Sequence, residues 1–136
     1  MIHVRPANDG EIKMIFGENA PKGANAMIAD DSATNETVGH SEFTITDGKF
    51  TLLNVEPAEK DIWLCDLIAR ATMNYAVNRG ILTCRLGENA PKNAFQLLRY
   101  IENESENEIN IIHLFTMCKN CSKTEQNARL KRKDVV

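Results

Sequence analysis

The chain has 136 residues, 43% of them hydrophobic and 26% charged, a balance that suits one domain with a core of useful size. Acids outnumber bases by nineteen to sixteen, for a formal charge of -3, which argues against a general nucleic-acid or membrane binder. No apolar run approaches the roughly 20 residues of a membrane span, and the start, Met1-Ile2-His3-Val4-Arg5, has no secretion-signal pattern, so a cytoplasmic protein is expected.

Residues 2–4 are apolar enough to open a strand. Ile12, Ile15 and Phe16 are spaced for a short amphipathic helix over 9–16. Pro21 and Gly23 break the chain, 26–29 reads as a short strand, and 30–36 as a polar turn. Over 37–46 the residues alternate, with Gly39, Ser41, Phe43 and Ile45 on one face and Val38, His40, Glu42 and Thr44 on the other. Asp47-Gly48 then predicts a two-residue hairpin turn, and 49–55 returns as the partner strand. The long segment 62–79 has no breaker and ends at Gly80, a helix C-cap; its apolar residues wrap most of the surface, so a largely buried helix is predicted. A short strand over 81–86, a helix over 90–102 and a last strand over 109–115 complete the order. This pattern predicts an α/β (mixed α+β) domain over 1–118, with a mostly antiparallel sheet and helices on both faces, followed by a loop and basic tail over 119–136. Gly-Glu-Asn-Ala-Pro-Lys occurs twice, at 17–22 and 87–92, with unmatched flanks, which reads as reuse of a turn and not as a repeat architecture.

The segment from Lys49 to Gly80 has a recognisable form. A hairpin strand ending Leu53-Asn54-Val55-Glu56-Pro57 is followed by a short charged link and a long helix ending Ala76-Val77-Asn78-Arg79-Gly80. This resembles the central motif of the GNAT-type acyl-CoA N-acyltransferases, and residues 81–86 and 93–102 resemble that family's second motif. In such a loop the backbone N–H groups at a helix N-terminus hold the pyrophosphate of acyl-CoA, and glycines allow close approach. The resemblance therefore implies acetyl-CoA or CoA as cofactor, with Leu53, Asn54 and Val55 along the strand and Lys60, Asp61, Ile62, Trp63, Leu64 and Cys65 in the loop and helix start. Lys60 stands at the family's basic position. Trp63 and Cys65 occupy its two small positions, and Asp61 places a negative charge where phosphates would approach.

For the chemistry, Glu56 is the candidate base near the expected reaction centre. The family's acid, a tyrosine, aligns with Leu98, leaving Tyr100 two residues on and on a different helical face as the nearest phenol. His40 is a titrating group on the polar face of its strand, and His113 is expected to be partly buried and hydrogen-bonded.

Four cysteines, Cys65, Cys84, Cys118 and Cys121, are too few and unevenly spaced for a disulfide framework. Cys118 and Cys121 form a C-x-x-C, but a structural zinc site wants four ligands and no second pair exists, so ordinary thiols are the reading. Three functions follow: an acyl-CoA-dependent N-acetyltransferase acting on a small amine or peptide, a non-catalytic module of the same fold, or a thiol or metal protein using Cys118 and Cys121. The apolar last strand offers an edge for a homodimer.

Overall fold

A computed structural model describes residues 1–116 of the chain. Six strands form one sheet in sequence order: β1 Ile2–Pro6, β2 Ala24–Asp31, β3 Glu36–Thr46, β4 Lys49–Glu56, β5 Thr83–Leu86 and β6 Glu108–Asn110. All neighbours are antiparallel except β4 and β5, which run parallel and are joined by the helix crossover that a parallel pair requires. The mixed, mostly antiparallel sheet expected from the sequence is present.

The β3–β4 hairpin turns at Asp47 (φ 52°) and Gly48 (φ 75°), the two positive φ angles that the Asp-Gly pair accommodates. The helix α1, Asp9–Phe16, begins with a capping box in which Asn8 Oδ1 accepts from the Glu11 N–H (2.8 Å) and the Glu11 carboxylate accepts from the Asn8 N–H (3.0 Å). The long helix α2, Ile62–Val77, buries Cys65, Ile68, Ala69, Thr72, Met73 and Ala76, a stripe at helical spacing. It stops where Gly80 turns to φ 82° and the Ile81 N–H reaches back to the Ala76 carbonyl (3.0 Å).

This stripe packs on the sheet face carrying Met27, Ala29, Phe43, Phe50, Leu52 and Val55. The only buried polar side chains among the described residues meet here: Thr72 donates to the Ile68 carbonyl and the Ser41 hydroxyl lies 2.7 Å from the Thr72 oxygen. On the opposite face, α1 lies against β2, whose Ala26 and Ile28 are buried outside that cluster. Helices thus cover both faces.

Three predicted elements differ. The helix α3 spans only Lys92–Leu97, inside the expected 90–102. Arg99 takes a left-handed φ of 65°, its N–H bonds to Gln96 and that of Tyr100 to Phe95, with the Phe95 and Tyr100 rings 5.2 Å apart. This is a Schellman ending built without glycine, which is why composition did not mark it. The predicted last strand, 109–115, is strand only over Glu108–Asn110; residues 111–116 are helical. Asn110 Oδ1 accepts from the His113 N–H (3.0 Å) as an N-cap, and buried Ile111 and Leu114 sit three apart while Ile112 and His113 are exposed. That removes the extended apolar edge on which pairing of two copies was based, and it leaves His113 outside the core. Residues 81–82 precede β5 instead of belonging to it. The two Gly-Glu-Asn-Ala-Pro-Lys copies form turns, one leading from α1 to β2 and one from β5 to α3. No helix among the described residues is long and apolar enough to cross a membrane.

Candidate active site at the open end of strand β4

Strand β4 is held on both sides for only half its length. Phe50, Thr51 and Leu52 pair with Cys84, Arg85 and Leu86, and the Gly87 N–H closes on the Leu52 carbonyl at 2.9 Å. Beyond Leu52 no described strand pairs on that side. On the β3 side the register steps from Phe43 opposite Leu52 to Glu42 opposite Asn54, so Leu53 is an extra residue, a β-bulge. Since the Leu52 carbonyl points toward β5, alternation across this bulge turns the N–H and C=O of Val55 to the same open side.

The bulge also decides which side chains face where. Counted without interruption from the Asp47-Gly48 turn, His40 would face Val55. With Leu53 inserted, His40 faces Glu56 and Val55 faces Ser41. Val55 is consequently buried in the α2 face (1% exposed), while Asn54 and Glu56 join His40 and Glu42 on the other. His40, Asn54 and Glu56 wall an open cleft of about 820 Å³ that also includes Pro57, Glu59 and Lys60. Gly39 permits this closeness, for a Cβ there would lie 2.5 Å from the Glu56 carbonyl oxygen and 2.7 Å from Ile68 Cδ1.

Behind the cleft wall, His40 Nε2 lies 2.9 Å from Glu42 Oε2, both side chains about three-quarters shielded. A carboxylate accepts only, so neutral His40 carries its proton on Nε2 and keeps the Nδ1 lone pair as a base. The sequence placed His40 and Glu42 on one face but could not bring Glu56 to them, because a bulge carries no compositional mark at Leu53-Asn54.

At the start of α2 the sequence-predicted loop residues come together in an unexpected way. Asp61 is the N-cap, and its Oδ1 accepts from the Leu64 N–H at 3.2 Å. Glu59, Lys60 and Asp61 form a 3-10 turn before the helix. Cys65 is fully buried; burial, then the charges of Asp66, Glu59 and Asp61, push its thiol up to about 12. Glu59 and Asp61 act on any anion at the helix start, with Lys60 the lone base between residues 56 and 66, while Asp66 is paired with Arg70. An N–H occupied by the chain's own carboxylate and an acidic surround do not fit a nucleotide diphosphate. Trp63 does not fill the cleft. It is 82% exposed in an adjoining apolar groove with Ile2, Leu64 and Leu67, which shares Val38 and Pro57 with the cleft. Ile62 packs against the core from the first turn.

Tyr100 is buried away from the cleft wall, and its hydroxyl donates to Asp66 Oδ1 at 2.5 Å. Arg70 Nε donates to the same oxygen (2.8 Å), with the guanidinium 5.6 Å from the Tyr100 ring. Burial and the Asp66 carboxylate hold the phenol well above its usual range, so it braces α2 to the segment after α3 and is a poor proton donor. Cys84 is also buried, its thiol pushed up to about 12 by that burial. Among the described residues no three His, Cys, Asp or Glu side chains are grouped to hold a metal; Cys118 and Cys121 lie outside those residues.

No family model matches the chain, and no curated protein matches it in sequence. Solved structures do match in fold. The structure of a nourseothricin acetyltransferase superposes with a TM-score of 0.50 at 11% identity, over 72% of this chain and 80% of that one. The PaiA N-acetyltransferase from Thermoplasma acidophilum, solved in complex with coenzyme A, superposes with a TM-score of 0.54 at 12% identity, over 81% of this chain and 99% of that one. Divergent in sequence, the chain has the fold of the GNAT-type N-acetyltransferases.

Proposed function

We propose that the chain is an N-acyltransferase that moves an acyl group from a thioester to an amine at the open end of β4. The observation that carries this reading is the bulge at Leu53, which both frees the Val55 N–H and assembles the cleft wall. A thioester carbonyl beside Val55 accepts that N–H as its oxygen gains charge. The amine approaches from the cleft, where His40 Nδ1 or the Glu56 carboxylate takes its proton. Asn54, next to Glu56 on the same face of β4, orients the amine by hydrogen bonding. Tyr100 has no part in the chemistry, and the departing thiolate takes its proton from water. The amine acceptor is a small molecule or a peptide end, and the chain works in the cytoplasm.

Incubation of the reduced protein with acetyl-CoA or S-acetylpantetheine and a panel of primary amines, followed by thiol release and mass spectrometry of products, tests this. The reading expects amide formation that falls about 100-fold or more in a His40→Gln, Glu56→Gln double variant. A second reading is favoured by the self-capped α2 and the sequestered Tyr100: a non-catalytic module that binds a thioester ligand. Thioester binding without amide formation across the panel would select it.

A further inference from the structure

We infer that the donor at this site is an acyl thioester on a short diamide arm, of the pantetheine type, with no nucleotide diphosphate seated at the start of α2. This rests on the acyl-transfer reading and names its donor. Two separate features of the chain point to it. The first is the backbone at Val55, where β4 has no neighbouring strand among the described residues and can bond the amides of an extended arm as a further strand would. The second is the start of α2. The Asp61 carboxylate occupies the Leu64 N–H, and Glu59 in the preceding turn adds negative charge beside it. A helix start that satisfies its own N–H group with a carboxylate already holds the anion that the dipole favours. A diphosphate arriving there must displace Asp61 and then sit beside the Glu59 and Asp61 carboxylates, with Lys60 the one cation in that turn.

The reaction itself needs only the arm. The neutral acceptor amine attacks the thioester carbonyl; the C–N bond forms, the nitrogen gives its surplus proton to His40 Nδ1 or the Glu56 carboxylate, the C–S bond breaks, and sulfur leaves with the electron pair and takes up a proton from water. Nothing is oxidised or reduced.

Calorimetric titration of the full chain with S-acetylpantetheine and with acetyl-CoA reads the claim without relying on turnover. The expected result is that S-acetylpantetheine binds at least as tightly as acetyl-CoA. In an Asp61→Ser variant, which keeps a capping hydroxyl and loses the charge, acetyl-CoA should tighten about tenfold while S-acetylpantetheine stays within about twofold. Acetyl-CoA binding ten times more tightly than S-acetylpantetheine in the wild type would overturn the inference, as would an Asp61→Ser variant that folds with unchanged acetyl-CoA affinity. Binding of neither thioester would instead defeat the acyl-transfer reading beneath it. An acetylated carrier protein added as a third donor separates the two sources of such an arm: faster acylation than with the free thioester assigns it to a protein, and slower acylation assigns it to a free small molecule.

Discussion

The two faces of the central sheet have opposite characters. Beneath α2, Phe43, Phe50, Leu52 and Val55 are sealed from water, and the two hydroxyls found there satisfy each other and a helix carbonyl. Across the sheet, Arg5 is bound to Glu11 and Asp30, His40 to Glu42, and Asn54 and Glu56 line an open cleft. One extra residue at Leu53 distributes the end of β4 between them, sending Val55 inward and Glu56 outward. Stability is concentrated on the first face and reactive groups on the second, so substitutions on the two should separate folding from function.

The largest effect belongs to the sealed face. Phe43 is fully buried, with its ring edge-on to Phe50 at 5.5 Å and to Tyr75 at 5.4 Å. Phe43→Ala should cost about 3–5 kcal/mol in urea unfolding. A loss below about 1 kcal/mol would mean that this face is not the core. Next comes an asymmetry between the paired hydroxyls. Thr72→Val leaves Ser41 buried without a partner, at about 1–3 kcal/mol, whereas after Ser41→Ala the Thr72 hydroxyl still bonds the Ile68 carbonyl, so less than about 1 kcal/mol is lost. Equal losses would contradict the donor order described above.

The smallest effect lies on the polar face and depends on pH. Hydrogen bonds from Arg5, then from the Asn8 N–H, hold the Glu11 carboxyl down at about 2. A depressed carboxyl favours the folded state above its unfolded value, about 4.3, and that favour disappears as pH falls toward 2. Glu11→Gln should therefore cost about 1 kcal/mol or less at neutral pH. The gap to wild type should close between about pH 4.5 and 2. A gap that widens on acidification would reverse the assigned sign.

Much of the fold was legible in the sequence because its signals are local. Asp47-Gly48 announced the hairpin, Gly80 the end of α2, and uninterrupted apolar spacing α2 itself. What escaped notice depended on context. Arg99 does the work of a C-terminal glycine, held there by the stacking of Phe95 and Tyr100. Asn110, read as part of a strand, caps a helical turn instead. At the site, the loop residues 60–65 were placed at the right helix start, but the roles suggested by residue size differ from those set by geometry. Trp63, which stands at one of the family's small positions, is exposed along an apolar groove, while Asp61 occupies the Leu64 N–H group. The meeting of His40 with Glu56 depends on the Leu53 bulge, which neither residue type nor periodicity marks.

Amide chemical shifts offer the most direct view of the open end of β4. Adding S-acetylpantetheine to the isotope-labelled chain should move the Leu53, Asn54 and Val55 amides most, with Gly87 following at the junction with β5. If those amides stay fixed at saturation while others shift, or if nothing shifts at millimolar ligand, the open end of β4 is not a thioester site and the proposed chemistry fails with it.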